Sequence, residues 1–400
     1  MKYLILLCDG MADYKIEKLG NKTPMEAAKK PAMNYLAKHG EVGLVKTVDD
    51  TLSPGSDVAN LSVMGYDPLL YYSGRSPLEA ASIGIDLGEK DIASRCNLVT
   101  LSEDSDFYNK TMIDYCAGDI STDEADELIK FLQNKLGNEK FHFYTGISYR
   151  HCLVYRNSEI DIGKQTPPHD ILDRKIADYM PEFKEFENLM KKSYELLKNH
   201  PVNLKRTKEG KNPANCIWLW GSGYKKSLQS FKDKTGFTGT MISAVDLLKG
   251  IGKLADMNVV EVNGATGYID TNFEGKKDAA VKAFNDGSDF VYLHIEAPDE
   301  CGHRNEMENK IKSIEIIDEK VLKPLIEELE KYDNYKIMIL PDHATPIAVR
   351  THTRDAVPYL IYEKNKKTEN DFDNFCEETA KTTGNYVKKG CEIINKFLDI

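Results

Sequence analysis

Three short runs of the chain are apolar at nearly every position, and each is followed by acidic residues or histidine: residues 3–8 before Asp9, 290–295 before Asp299, and 336–340 before Asp342 and His343. Unbroken apolar runs of this length, as opposed to alternation, predict strands buried on both faces of a parallel sheet. Helical spacing separates them. Residues 23–39, with Pro24 near the start, predict one helix, and residues 305–332, with Ile311, Ile314, Ile317, Val321 and Leu325 at helical spacing, predict another. Strand alternating with helix predicts the α/β class: a doubly wound, mostly parallel sheet. In such sheets ligands sit beyond the carboxyl ends of the strands, so the polar residues after the three runs are candidates to meet in one crevice.

Between about residues 87 and 206 the pattern changes. Strand-like pieces at 92–101, 141–144 and 151–155 surround a helical stretch, 121–136, with an acidic start. This reads as an inserted smaller α+β domain. The expected division is 1–87 with 207–400 for the core and 88–206 for the insertion, with a return hinge at 210–213. The glycine-bearing stretches 220–223 and 264–267 match neither a Rossmann nor a phosphate-loop spacing and read as turns. Residues 363–374 read as a solvated charged loop and 377–398 as a surface helix.

Composition narrows the function classes. With 41% hydrophobic and 29% charged residues the 400-residue chain is neither disordered nor membranous in character. A formal net charge of -11 argues against a nucleic-acid binder, which needs a basic face. The apolar run at residues 3–8 is too short for a signal peptide and no stretch reaches transmembrane length, so no membrane partner is expected. Eight cysteines without a Cys-x-x-Cys pair read as reduced, packed thiols, which points to the cytoplasm.

The candidate chemistry lies where the strands end. Asp9 is followed by Gly10, which lets the backbone turn sharply and a bound ion come close, although Asp-Gly is also a common turn. Asp299 and His303 are four apart and on a helical turn face the same side. Asp342, His343 and His352 complete a set of three aspartates and three histidines, the mixed oxygen and nitrogen inventory that Mn²⁺, Zn²⁺ or Co²⁺ accepts, and enough for two ions. Ser56 stands in Ser53-Pro54-Gly55-Ser56-Asp57, a glycine turn leading into a short helix. There it reads either as an N-cap or as a nucleophile whose phosphate the helix start would stabilise.

In order, Asp9-Gly10, Ser56-Asp57-Val58-x-Asn60-Leu61, Gly74-Arg75, Asp299-x-x-x-His303, Asp342-His343 and His352-Thr353 resemble the alkaline phosphatase superfamily, specifically its phosphoglycerate mutase branch. Thr145-Gly146-Ile147-Ser148-Tyr149-Arg150-His151, Trp218-Leu219-Trp220-Gly221 and Glu296-Ala297-Pro298-Asp299-Glu300 resemble the archaeal-type, cofactor-independent subfamily. The resemblance implies an alkaline-phosphatase-like fold and two divalent ions, Mn²⁺ first with Zn²⁺, Co²⁺ or Mg²⁺ as alternatives. It gives one ion Asp299, His303 and His352, and the other Asp9, Asp342, His343 and the Ser56 hydroxyl. It further implies interconversion of 3- and 2-phosphoglycerate through phosphoserine at Ser56, without bisphosphoglycerate. Asp57 stands where the longer mutases carry Glu, and no equivalent of their active-site lysine is evident at 242–248, which leaves Arg75 as the first candidate to neutralise phosphate.

The insertion is expected to hold glycerate and exclude water while the phosphoserine waits, with Arg150, His151 and His169 as candidate carboxylate contacts. Choice of acceptor lies there too. A homoserine kinase-like transfer or a metal-dependent phosphomonoesterase on the same scaffold therefore remains open, although no nucleotide-binding glycine loop is present.

Overall fold

The structure is a computed structural model and describes residues 1–158 and 160–400. Among the described residues the strands run in chain order as follows. Strands β1 (Lys2–Cys8) and β2 (Glu41–Val45) belong to a large sheet. Then β3 (Ile92–Leu101), β4 (Met112–Asp114), β5 (Phe141–Ile147), β6 (Arg150–Tyr155) and β7 (Cys216–Tyr224) form a smaller one. The chain returns to the large sheet with β8 (Gly239–Ile242), β9 (Asn258–Val260), β10 (Phe290–Ile295), β11 (Tyr335–Leu340), β12 (Val357–Glu363) and β13 (Tyr386–Val387).

The large sheet has the order β13-β2-β12-β11-β1-β10-β8-β9 and is parallel except for β12, which runs antiparallel to both neighbours. The three apolar runs are the adjacent parallel strands at its centre, with β1 between β11 and β10 in the registers Leu4↔Ile337 and Leu4↔Val291. Every residue of β10 and β11 is buried, as two-faced cover by helices requires. The smaller sheet is antiparallel, with β3 at its centre.

The chain divides into two compact units: Met1–Tyr72 with Ser227–Ile400, and Ser73–Lys226. These breaks lie outside the 88–206 span read from sequence. Within the second unit β7 pairs with β3 along most of its length, Ser73 Oγ donates to the Tyr224 carbonyl at 2.5 Å and Ser76 Oγ to the Gly221 carbonyl at 2.6 Å, so both flanks belong to its fold. Each unit has its own core: Leu6, Leu293 and Ile337 in the first, Leu98, Leu153 and Trp218 in the second.

Several expectations are corrected. Residues 220–223 are part of β7, not a turn, because Trp218 and Trp220 pack into the core beside β3. Residues 23–39 form two short helices, Pro24–Ala27 and Pro31–Lys38, since Pro31 excludes Lys30 from the helical region (φ -136°, ψ 64°). The helix expected at 305–332 is present as an unbroken run over residues 307–329, with a π-helical turn, Ile317–Leu322, next to Pro324, which has no N–H to continue the ladder. The stretch 377–398 contains two short helices, Glu377–Thr382 and Ile393–Leu398, with β13 between them.

Candidate metal centre

Adjacent strands deliver the acidic residues. β1 runs into Asp9, β11 into Asp342 and His343, and β10 into helix Ala297–His303, which carries Asp299 and His303 one turn apart. Gly10 has φ +59°, and a Cβ there would lie 2.5 Å from Asp299 Oδ1 and 2.6 Å from Thr345 Oγ1. Only glycine lets the chain leave β1 this close to the neighbouring carboxylate.

The six residues meet. His343 Nε2 is 3.6 Å from Asp9 Oδ1 and 3.4 Å from Asp342 Oδ2. Asp299 is 3.2 Å from His303 Nε2 and 3.4 Å from His352 Nε2, and the two histidine nitrogens are 2.9 Å apart. The His343 and His352 rings stack at 3.9 Å, which joins the two groups into one centre. Ligand atoms of Asp9, Asp342 and His343 lie within 4.8 Å of one another, as do those of Asp299, His343 and His352, and those of Asp9, Glu296 and Asp299.

The electrostatics call for cations. Asp9, Asp299 and Asp342 are each at most 5% exposed. Burial, then the neighbouring Asp342, Asp299 and Glu296, push the Asp9 carboxyl well above the usual carboxylate range. Its Oδ1 has no hydrogen-bond partner although buried, a costly state for a carboxylate oxygen. Burial lowers His343 to about 4, so its ring is a neutral donor. Burial opposes charge on His303 too, but the Asp299 carboxylate outweighs it and raises the ring to about 9. Three carboxylates and three imidazoles around an orphaned oxygen fit a pair of divalent ions with mixed oxygen and nitrogen ligation.

Ser56 is the first residue of helix Ser56–Val63, and Gly55 is its N-cap, so the serine does not cap the helix. Its Oγ instead lies 3.0 Å from His343 Nε2 and 3.5 Å from Asp9 Oδ2. In the first turn the Val58 N–H donates to Asp57 Oδ1 at 2.9 Å and the Ala59 N–H to the Gly55 carbonyl at 3.0 Å. Asp57, the residue after it, accepts from Tyr72 Oη at 2.6 Å.

Four supporting residues escaped the sequence reading. His294 Nε2 meets Asp9 Oδ2 at 2.9 Å. Asn60 Nδ2 donates to Asp342 Oδ2 at 2.8 Å and its Oδ1 accepts from Tyr292 Oη at 2.6 Å. Thr345 donates to Asp299. Glu296 contributes to the third carboxylate group. His294 had one visible signal, a histidine inside an apolar strand; Asn60 and Glu296 stood in quoted motifs without a role.

The other candidates belong to the second unit. Arg75, half-buried, bonds Glu79 and lies over the Trp220 ring at 5.5 Å. His169 is exposed and meets Trp220 edge-on at 5.5 Å. Arg150 is exposed at the start of β6, over Tyr149 at 5.6 Å. His151 is 4% exposed, accepts at Nδ1 from Gly146 N at 3.1 Å, and is lowered by burial to about 3, which makes it a neutral ring within the sheet.

Comparison with known proteins agrees with this geometry. The family model described as 2,3-bisphosphoglycerate-independent phosphoglycerate mutase matches residues 37–203. The mutase of that name from Methanosarcina barkeri is 49% identical, covering 98% of each chain, and a probable one from Geobacter sulfurreducens is 46% identical over the full length of both. Among solved structures, a Pyrococcus horikoshii protein superposes with a TM-score of 0.81 at 29% identity, covering 100% of this chain and 96% of that one. The cofactor-independent phosphoglycerate mutase of Thermoplasma acidophilum shares the fold, with a TM-score of 0.65 at 24% identity and coverage of 100% and 99%. The end-to-end identity to the curated mutases places this chain in the archaeal-type branch of the 2,3-bisphosphoglycerate-independent phosphoglycerate mutase family.

Proposed function

We propose that the chain interconverts 3-phosphoglycerate and 2-phosphoglycerate, the glycolytic and gluconeogenic mutase step, through a phosphoserine at Ser56 and without bisphosphoglycerate. The observation that carries this is the Ser56 hydroxyl, at the head of its helix and 3.0 Å from His343, among three aspartates and three histidines. Asp299, His303 and His352 would hold one divalent ion, and Asp9, Asp342, His343 and the Ser56 hydroxyl the other, with Mn²⁺ the ion favoured over Zn²⁺, Co²⁺ or Mg²⁺. Such ions, when bound, offset charge on the phosphoryl group and favour ionisation of the serine.

Ser56 Oγ forms the new bond to phosphorus as the bond to the glycerate 3-oxygen breaks, and the serine proton ends on that departing oxygen. The 2-hydroxyl of the retained glycerate then attacks phosphoserine, and its proton returns to Ser56. The positive end of the dipole of helix Ser56–Val63 would favour the phosphate on the serine. Arg75, Arg150 and His169 are assigned to the substrate, and the enclosed His151 to support of β6. No helix among the described residues is long and apolar enough to cross a membrane, and all eight thiols are free, which supports a cytoplasmic setting.

The test is conversion of 3-phosphoglycerate by purified protein with Mn²⁺ and no bisphosphoglycerate, beside an EDTA control. Conversion is expected with metal and not with EDTA, and Ser56→Ala is expected to abolish it while metal still binds. Unchanged turnover by Ser56→Ala would sink the covalent route. Phosphate release in place of 2-phosphoglycerate would sink the mutase reading.

A further inference from the structure

The loop between β11 and β12 brings His352 to the centre and meets the back of His303 on the way. It is closed at its base, where Thr353 N donates to the Ala344 carbonyl at 3.0 Å. Within it the chain makes one helical turn, in which Val349 N and Arg350 N both donate to the Pro346 carbonyl, at 2.9 and 2.8 Å. The turn ends with Arg350 at φ +60°, in the left-handed region where glycine or asparagine is usual and a Cβ crowds the backbone. Nothing in the local sequence accounts for an arginine in that conformation.

Its contacts do. His303 and Arg350 hold each other by two bonds that run in opposite directions: His303 Nδ1 meets the Arg350 carbonyl at 3.0 Å, and Arg350 Nε donates to the His303 carbonyl at 3.3 Å. A carbonyl oxygen only accepts, so Nδ1 carries a proton and Nε2 is the nitrogen left to ligate. That Nε2 lies 3.2 Å from Asp299 Oδ2 and 2.9 Å from His352 Nε2. His303 ends helix Ala297–His303, so its carbonyl has no partner inside the helix, and Arg350 Nε supplies one. Were residue 350 to relax to negative φ, its own carbonyl would turn away from the ring.

We propose that Arg350 is a positioning residue for the ion assigned to Asp299, His303 and His352. Its side-chain bond offsets the cost of a left-handed backbone, and that backbone presents the carbonyl that fixes the tautomer and ring plane of His303. Partners of this kind orient a metal-bound imidazole. The proposal rests on the reading that these three residues share one ion, and it gives side chain and backbone separate tasks. Glycine, which lacks the side chain but has no left-handed penalty, should therefore serve better at this position than alanine.

The test is calorimetric titration of the metal-free full chain with Mn²⁺, for native protein, Arg350→Ala and Arg350→Gly, beside thermal unfolding of the same metal-free proteins. Arg350→Ala is expected to bind one ion of the pair roughly tenfold or more weakly, with the other ion unaffected. Arg350→Gly is expected to stay within about threefold of native for both. In the Zn²⁺-loaded chain the His303 Nδ1 proton, followed by NMR, should exchange slowly in native protein and the glycine variant and fast in the alanine variant. Native affinity in a folded Arg350→Ala overturns the proposal, as does a glycine variant as weak as the alanine one. Lower metal-free thermal stability of Arg350→Ala with unchanged affinity also overturns it, since the role is then merely structural. Should Arg350→Ala fail to fold, Arg350→Lys, which keeps the charge but loses the Nε donor, carries the same comparison with glycine. A native chain that binds no Mn²⁺ would sink the ligand assignment together with this proposal; the expected order of affinities without conversion of 3-phosphoglycerate would sink the mutase reading alone.

Discussion

His294 uses both ring nitrogens: Nε2 meets Asp9 at 2.9 Å and Nδ1 meets Ser243 Oγ at 3.1 Å. Ser243 Oγ also accepts from Val245 N at 3.0 Å, so its hydroxyl hydrogen is free to go to Nδ1 and the ring proton sits on Nε2, directed at Asp9. Burial lowers this ring to about 3, which keeps it a neutral, fixed donor. Partners of this kind orient a metal-binding carboxylate, and their loss typically weakens affinity. His294→Ala is therefore expected to weaken binding of divalent metal by roughly 10- to 100-fold, with His294→Gln recovering part of it. Metal titration calorimetry measures this, and unchanged affinity in the alanine variant would refute the role. Asp9, Asp299 and Asp342 were legible in sequence because each follows a buried strand. His294 and Asn60 were not, because their roles are hydrogen bonds across 285 and 282 residues, which no local pattern announces.

Among elements, helix Met307–Ile316 ties together the loops that follow β1 and β11. Its fully buried Lys310 donates to Asp13 Oδ2 and the Thr345 carbonyl, both at 2.8 Å, and to the Ala12 carbonyl at 3.3 Å. Asp13 in turn accepts from Ile347 N at 3.1 and 3.2 Å. Lys310→Met would leave the Asp13 charge buried and unpaired, a loss expected at about 3–5 kcal/mol. The double variant Asp13→Asn with Lys310→Met is expected to be the more stable of the two, since the stranded charge is gone. Denaturant unfolding monitored by circular dichroism decides it: a double variant as unstable as the single would mean that the pair is not the source. Elements were legible where a single signal sufficed, as in β1, β10 and β11. The helix at 23–39 was over-read because apolar spacing persists through Pro31 while the backbone at Lys30 cannot be helical, a conflict that a periodicity count does not register, whereas the helix expected at 305–332 runs unbroken over residues 307–329.

The whole molecule is two separately cored units, and the second is one continuous stretch, Ser73–Lys226. Its interior of Ile92, Leu98, Leu128, Leu153, Trp218 and Leu219 is fully buried, and every residue of that core cluster comes from this stretch. Residues 73–226 expressed alone are expected to fold. Both tryptophans of the protein, Trp218 and Trp220, lie in β7, so a blue-shifted emission and a cooperative melt would report that fold directly; red-shifted emission with a gradual melt would show that the unit depends on its surroundings. No change of composition marks the division at Tyr72 and Ser73 in the sequence. The mixed apolar and glycine pattern of β7 also resembles a loop until its partner strand is known.

The candidate ligands of the centre span residue 9 to residue 352, and this has a consequence for synthesis. A ribosome delivers β1 first and β11 about three hundred residues later, so Asp9 waits through most of translation for Asp342 and His352. The continuous second unit can fold in that interval, as domains generally do when made in order. Capture of ions by this candidate centre would then be a late event of maturation, and a chain stalled before residue 342 would expose Asp9 and Asp299 without Asp342, His343 and His352.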